Sequence, residues 1–207
     1  MHIVEADARH PLRNAIERHI GAAYRHAFDA RVTTFARSLF VAIDRDGEIR
    51  CAAGVRRGSE AFHCEHYLDV PAEQAIALGL RRPVCRDEIL EFSTLACHRP
   101  GDALGFISQI VQQGRVDGCE LALFTGTAPL RRLLARAGLD IVPLTRANRL
   151  RVPDPEAWGQ YYAHDPKVCV APDSPLVAPQ LRAPCFTSSR RFAVTDSAAL
   201  NSVAHHA

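Results

Sequence analysis

An acid and a hydroxyl lie two residues apart inside the apolar segment EILEFSTLA. This density of branched and aromatic residues is typical of a buried strand. Because side chains alternate along a strand, Glu91 and Ser93 share one face with Ile89. A buried carboxylate takes up a proton more readily than an exposed one, which suits a general base acting on an amine. The alternative is a structural acid paired with an arginine, such as Arg25 or Arg56.

The loop CHRPGDALG follows this strand and opens into a helix. Gly101, Ala103 and Gly105 keep the loop slim, so a phosphate could approach the amides at the helix N-terminus. The alternative is an ordinary strand-to-helix turn with Asp102 as the N-cap, whose carboxylate would compete for the same amides.

The segment HCEHYLD carries several polar side chains close together. Glu65, Tyr67 and Asp69 alternate, so in an extended chain they line one face and could bind a substrate amine. His63-Cys64-Glu65-His66 contains metal-ligand types, but no second ligand group follows at a fixed spacing, so we predict no metal site. Further along, His164 precedes Asp165-Pro166, where either a turn or a substrate contact is expected.

Composition narrows the class of protein. The chain has 207 residues, 47% of them hydrophobic and 23% charged, with a net charge of +2, as expected for one globular domain without a nucleic-acid-binding surface. It contains no run of about 18 apolar residues, so no membrane span is predicted. The N-terminus lacks the pattern of a signal peptide, and the seven cysteines include no CxxC pair. We therefore expect a cytoplasmic enzyme.

Helical and strand patterns alternate along the first 150 residues, which predicts an α/β domain with a mixed sheet. The expected order is a strand at Ile3-Val4, a helix from Pro11 to about Ala27, a hairpin turning at Arg45-Asp46-Gly47, a helix over 72–80, the strand of Glu91, a helix ending at Gly114 or Gly118, the strand CELALFTG, a helix closed by Gly138, and a final strand DIVPL.

The composition changes beyond Arg151. We divide the chain into a core over 1–150, an aromatic segment over 151–170 that packs on the core, and an extended or flexible tail over 171–207 that is rich in Pro, Ser and Ala.

The stretch from Glu88 to Leu144 resembles the core of the GNAT acyltransferase superfamily, whose central strand is followed by a phosphate-gripping loop, a long helix, a strand and a short helix. The resemblance implies a GNAT-like three-layer α/β fold with a mixed, mostly antiparallel sheet flanked by helices. The loop PGDALG keeps only the final glycine of the superfamily's usual pattern, so any grip on a phosphate would come from the main chain.

A closer resemblance, over roughly residues 3–170, is to the thermostable hemolysin family. It rests on HYLDVPAEQAIA, RDEILEFSTLA, LFTGTAPLRRLLARAGLDIVPL and, most specifically, WGQYYAHDP. The middle of the chain is more distantly similar to acyl-homoserine-lactone synthases, which take acyl groups from acyl carrier protein. Their strand carries Glu, one residue, Ser or Thr, then Arg, whereas here Thr94 stands in place of the Arg.

These resemblances imply an N-acyltransferase that moves an acyl group from acyl carrier protein or coenzyme A to a small amine by direct attack, with no permanently bound cofactor. Glu91 would act as base or amine-orienting group beside Ser93. The carbonyl would meet a backbone N–H near Leu95 or Ala96, the donor would pass Gly101, Ala103 and Gly105, and Tyr161 or Tyr162 would protonate the leaving thiolate.

Two other functions stay open. One is a non-catalytic or lytic accessory protein with a degenerate GNAT fold. The other is an autoinducer-synthase-like enzyme, in which Glu65 and Asp69 would receive the positive charge of a methionine-derived substrate.

Overall fold

The computed structural model describes residues 2–172, in which seven strands form one sheet and four α-helices cover its faces. The strands are β1 (His2–Ala6), β2 (Ser38–Ile43), β3 (Ile49–Arg57), β4 (Ile89–Cys97), β5 (Leu121–Gly126), β6 (Val142–Arg146) and β7 (Lys167–Pro172). The helices are α1 (Arg13–Phe28), α2 (Ala72–Leu80), α3 (Pro100–Val116) and α4 (Ala128–Arg136).

The strand order in the sheet is β1-β2-β3-β4-β5-β7-β6. Neighbouring strands are antiparallel except β4 and β5, which are parallel and connected through α3. A parallel pair needs such a crossover because a tight turn only reverses the chain. The prediction of a mixed, mostly antiparallel sheet is therefore confirmed.

The helices form a layer on each side of the sheet. On one side α1 buries Ile16, Ile20 and Tyr24, spaced four residues apart as an amphipathic helix requires, and α2 buries Ile76. On the other side α3 and α4 pack over the odd-numbered residues of β3 and the even-numbered residues of β5, contributing Phe106, Ile110 and Leu134. Because side chains alternate, β4 presents Ile89 and Glu91 to the first side and Leu90 and Phe92 to the second.

Local chemistry explains the turns that the sequence predicted. In the β2–β3 hairpin the Asp44 side chain accepts hydrogen bonds from the amides of Asp46 and Glu48, and Gly47 takes a positive φ of 84°. Gly138 likewise follows the end of α4 with a φ of 82°, where a Cβ would be strained. Both predictions are confirmed.

The expectation that DIVPL forms the last strand is wrong, because β7 follows it and lies between β5 and β6. The central sheet thus takes a strand from beyond residue 150. Trp158 and Tyr161, in the predicted aromatic segment, pack with Tyr24 and Phe28 of α1. The three-part division of the chain stays a prediction. Residues 171 and 172 of the predicted tail belong to β7, and the rest of that tail, from residue 173 onward, lies outside the described residues.

Two irregularities in β4 shape the middle of the sheet. A β-bulge interrupts its pairing with β3, since Ala52 opposes Ala96 whereas Gly54 opposes Ser93. On the other edge, β4 pairs with β5 only as far as Phe92 opposite Phe124. Beyond that point the two parallel strands separate and leave a V-shaped opening between them.

Candidate active site

A large apolar cavity of about 660 Å³ occupies the opening between β4 and β5. This volume lies within the range of about 300–1,000 Å³ that is typical of small-molecule sites. The walls come from β4, β5, α3 and α4, and their apolar side chains include Phe92, Leu95, Ile107, Val111, Phe124, Leu130, Leu133, Leu134 and Leu139. An elongated apolar group would lose its contact with water there.

A small polar pocket of about 40 Å³ adjoins the large cavity on the α1 side of the sheet. Arg56, His63, Glu91 and Thr34 supply polar side chains to it. Six residues line both spaces: Tyr24, Phe92, Ser93, Thr94, Thr125 and Tyr161. The apolar cavity and the polar pocket therefore meet where the two strands separate.

Glu91 is fully buried, and both of its carboxylate oxygens accept hydrogen bonds. Oε2 accepts from Arg56 Nη1 at 3.1 Å and from the His63 amide at 2.8 Å, while Oε1 accepts from the Cys64 amide at 2.6 Å. The alternative of an arginine partner, Arg56, is therefore present. All three donors hold the carboxylate in a fixed position.

Ser93 lies on the same face as Glu91 and shares its arginine. Arg56 Nη1 donates to Ser93 Oγ at 2.9 Å, and Ser93 Oγ donates to the Gly54 carbonyl at a longer 3.4 Å. The predicted shared face of Glu91 and Ser93 thus holds, and the guanidinium connects them.

The two candidate tyrosines differ in where their hydroxyls lie. Tyr161 lines both cavities, and its hydroxyl donates to the Thr125 carbonyl at 3.2 Å. The Tyr162 hydroxyl lies 2.9 Å from the Tyr67 hydroxyl, and Tyr162 lines neither space. Burial raises the pKa of both Tyr161 and Tyr162, so both stay protonated at neutral pH.

His63 lines the polar pocket although the sequence marked it only as a metal-ligand type. Its ring lies 5.8 Å from that of Trp158 and 5.3 Å from that of His66. Burial lowers the pKa of His63 to about 4, and the nearby charges of Arg56 and His66 act in the same direction. The imidazole is therefore neutral near pH 7.

Two of the predicted donor-binding residues, Gly101 and Gly105, lie near the start of α3. Helix α3 begins at Pro100 after Arg99, and it has no side-chain N-cap. Asp102 is not the N-cap, because Arg99 holds that position, and the Asp102 carboxylate instead pairs with Arg50 of β3 at 3.2 Å. A Cβ placed on Gly101 or Gly105 would meet no atom within 4 Å, so space lies open above both.

Three further residues that were predicted to contact the acyl donor lie along the apolar cavity or behind it. Leu95 and Ala103 line the apolar cavity. Ala96 packs under α1 instead, and its backbone opposes Ala52 in the strand ladder.

The predicted substrate-binding acids do not line the polar pocket. The segment His63–Tyr67 is a short 3-10 helix, so the expectation of an extended, alternating chain is wrong. Glu65 instead pairs with Arg86 at 2.7 Å, which lowers the pKa of Glu65. Asp69 is exposed and pairs with Arg151.

Tyr67 and His164 have separate surroundings. Tyr67 is buried, lines the polar pocket, and its hydroxyl contacts that of Tyr162. His164 packs edge-on against Phe28, with ring centroids 5.2 Å apart, and lines neither cavity itself. No group of three His, Cys, Asp or Glu side chains within residues 2–172 is arranged to hold a metal ion.

The fold is that of known acyltransferases. The structure of the acyl-homoserine-lactone synthase LasI matches with a TM-score of 0.58 and 12% identity. The match covers 91% of this chain and 99% of the LasI chain. FeeM, an N-acyl amino acid synthase from uncultured soil microbes, matches over 83% and 92% of the two chains, with a TM-score of 0.56 and 10% identity. BjaI, a CoA-dependent acyl-homoserine-lactone synthase solved with SAM and isopentyl-CoA, matches over 85% and 84%, with a TM-score of 0.55 and 14% identity.

These likenesses confirm the predicted GNAT-like fold, and at such identities they establish the fold alone. The sequence matches the thermostable hemolysin family over residues 6–174, so the chain belongs to that family, as predicted. No curated protein sequence matches it. Among residues 2–172, no helix has both the length and the apolar character needed to cross a bilayer.

Proposed function

We propose that this protein is an acyltransferase that moves an acyl group from a thioester of acyl carrier protein or coenzyme A to a small amine. The observation that carries the proposal is the junction between β4 and β5, where an apolar cavity of about 660 Å³ meets a buried polar pocket. The substrates of such a reaction need both environments, an apolar one for the acyl chain and a polar one for the reacting groups.

The donor would enter from the α3 side. The acyl chain would fill the cavity between the strands, and the pantetheine arm would pass the N-terminus of α3. The absence of a side-chain cap on α3 supports this path, as does the pairing of Asp102 with Arg50, which partly neutralises a carboxylate near the helix amides. The CoA-dependent synthases among the similar folds support it as well.

Of the two roles predicted for Glu91, we propose the orienting one. Both of its carboxylate oxygens already accept hydrogen bonds, from Arg56 and from the amides of His63 and Cys64. Glu91 instead fixes Arg56, and with it Ser93, at the wall of the polar pocket. The amine would then attack from this pocket towards the thioester carbon.

The remaining steps use groups at the same junction. The amine nitrogen forms a bond to the carbonyl carbon, and the oxyanion accepts a backbone hydrogen bond, for which Leu95 at the bulge is better placed than Ala96. The C–S bond then breaks, and Tyr161 donates its proton to the leaving thiolate. The proton lost by the amine nitrogen passes to the Tyr161 oxygen, so the phenol is neutral again when the thiol has left with its proton. The predicted cytoplasmic location is compatible with acyl carrier protein or coenzyme A as the acyl donor, and it stays a prediction.

The alternative functions gain no specific support. Glu65 and Asp69, the predicted recipients of a cationic methionine-derived substrate, are each paired with an arginine outside the polar pocket. For a lytic function, no helix in the described part of the chain is long and apolar enough to cross a membrane.

The test is to incubate the purified protein with acyl thioesters of several chain lengths and a panel of amines, and to analyse products by mass spectrometry. We expect a new amide together with one equivalent of free thiol. If the protein turns over none of the thioesters and lyses liposomes in a dose-dependent way, the lytic proposal would replace the acyltransferase proposal. Release of methylthioadenosine from S-adenosylmethionine would favour the autoinducer-synthase alternative.

A further inference from the structure

Thr94 has a backbone conformation that a threonine rarely adopts. It sits at the bulge of β4 with a positive φ of 48°, whereas β-branched residues are strained in this left-handed region. Strain of this kind persists only where the surrounding structure enforces it, and it is frequent at functional sites.

The neighbouring strand β3 has a glycine, Gly54, opposite the bulge. A Cβ placed on Gly54 of β3 would come within 2.6 Å of Ser93 Oγ and 3.3 Å of Thr94 Oγ1. Any larger residue at position 54 would therefore force these two side chains to move. The conformation of Thr94 thus depends on glycine across the ladder as well as on its own strand.

The hydroxyl of Thr94 is unsatisfied where it now lies. Oγ1 is buried and has no hydrogen-bond partner among residues 2–172. An unpaired buried hydroxyl is costly, so it is usually explained by a water, an ion or a ligand group. Thr94 is also one of the six residues that line both the apolar cavity and the polar pocket.

We propose that Thr94 is a catalytic residue whose hydroxyl hydrogen-bonds the carbonyl oxygen of the acyl thioester. This inference rests on the proposed function. Rotation about the Cα–Cβ bond would carry Oγ1 from its position beside Gly54 to the junction of the two spaces, where the carbonyl of a chain lying in the cavity would be. The unsatisfied hydroxyl would thereby gain a partner.

The hydroxyl keeps its proton throughout the reaction. As the amine nitrogen bonds to the carbonyl carbon, the electron pair of the C=O bond moves to the oxygen, and the hydrogen bond from Thr94 strengthens with that charge. When the carbonyl re-forms, the C–S bond breaks and the thiol leaves. A donor of this kind lowers the barrier more than it improves binding of the ground state.

The test compares Thr94→Val, which keeps the shape and the β-branch, with Thr94→Ser, which keeps the hydroxyl. We expect Thr94→Val to lower kcat about 10- to 100-fold with little change in KM, and Thr94→Ser to recover most of the loss. A kcat for Thr94→Val equal to that of the wild type would overturn the proposal. Thr145→Val in β6 serves as a control for removing a threonine hydroxyl elsewhere.

A second measurement needs no turnover. An acyl thioester labelled with ¹³C at the carbonyl is bound to each variant, and its carbonyl stretch is recorded by difference infrared spectroscopy. We expect a lower frequency in the wild-type protein and in Thr94→Ser than in Thr94→Val, because a hydrogen bond weakens the C=O bond. The same frequency in all three would reject the role of Thr94, even if the protein forms amides. Binding without any amide product, with the frequency difference present, would reject the proposed function but retain the contact.

Discussion

Glu91 illustrates how a buried charge can be satisfied by groups from two other parts of the chain. Arg56 comes from β3, and the amides of His63 and Cys64 come from the short helix that follows. The carboxylate therefore links this helix to the sheet. Its contribution to the free energy of unfolding can be measured separately from any contribution to catalysis.

We expect Glu91→Gln to destabilise the protein by on the order of 3 kcal/mol, because the carboxamide NH₂ would face a donor and Arg56 would lose its counter-charge. Urea unfolding measures this directly. The matched control is Glu120→Gln, an exposed acid whose pair with Arg82 is long, at 3.8 Å, and should cost less than about 0.5 kcal/mol. Equal stability of the two variants would contradict our account of Glu91.

His63 should make stability depend on pH. Its pKa is lowered from 6.5 to about 4 in the folded protein, so between these values the unfolded chain binds the extra proton. Stability contributed by the neutral imidazole is present above pH 6.5 and is lost as the pH falls towards 4. His19, whose pKa burial also lowers, acts with the same sign.

The measurement is unfolding free energy from pH 7 to pH 4 for the wild type and His63→Gln. The wild type should lose about 1–3 kcal/mol more than the variant over this window. Parallel curves for the two proteins would show that His63 is not buried as a neutral group.

The two neighbouring tyrosines offer a test of the proposed acid. Tyr161→Phe should lower kcat by about 100-fold, since a positioned proton donor contributes roughly 10²–10⁴. Tyr162→Phe should stay within a few-fold of the wild type, because Tyr162 lines neither cavity and its hydroxyl contacts that of Tyr67. The reverse ranking, in a steady-state assay of thiol release, would exchange the assigned roles.

The sequence predicts part of this site and fails for identifiable reasons. The alternation of a strand placed Glu91 and Ser93 on one face, and Arg56 was a candidate partner. Glu65 and Asp69 were misplaced because the same alternation was applied to a segment that is helical. Their arginines, Arg86 and Arg151, are 21 and 82 residues away, which no local pattern reveals.

At the scale of elements, the bulge between β3 and β4 is the feature that shapes the junction. It needs one extra residue in β4 and a residue without a side chain opposite it in β3. Nothing in the sequence of either strand alone predicts it, because the requirement lies in their pairing.

We expect Gly54→Ala to destabilise the protein by about 1–3 kcal/mol, because its Cβ would collide with Ser93 Oγ at 2.6 Å and crowd the Ala36 Cβ at 3.0 Å. Gly21→Ala, inside α1 with no atom within 4 Å of the new Cβ, should instead stabilise it by about 0.5–1 kcal/mol. Thermal unfolding of the pair checks both signs. A neutral Gly54→Ala would mean that the bulge relaxes freely.

Strand β7 is the one strand of the described sheet that the sequence analysis does not predict. The segment KVCVAP is short and follows a proline, and it crosses the predicted boundary between the aromatic segment and the tail. Its place is fixed by β5 and β6, which pair with its two edges. The helices were predicted more successfully, because an amphipathic repeat over 9 to 17 residues is a local signal.

At the scale of the whole molecule, the separation of β4 and β5 converts a continuous sheet into a binding cavity. The strands pair over four residues each and then part, with α3 and α4 closing one side of the gap. The sheet thereby brings an apolar chamber and a polar pocket together without a second domain.

Filling this chamber should change which acyl chain is accepted. Ala122→Phe places a ring in the cavity from β5, so the preferred chain should become shorter, whereas Ala135→Phe on the exposed side of α4 should leave the preference unchanged. Competition between thioesters of different length, with products separated by mass spectrometry, gives the preference. An unchanged preference in Ala122→Phe would place the acyl chain elsewhere.

The central claim is that an acyl thioester binds between the separated strands, and a crystal structure with a bound acyl-pantetheine compound tests it most directly. Our account predicts the acyl chain between Phe92 and Phe124, the carbonyl beside Thr94, and the pantetheine arm at the N-terminus of α3. A ligand seated on another surface, with the cavity between β4 and β5 still open, would contradict it.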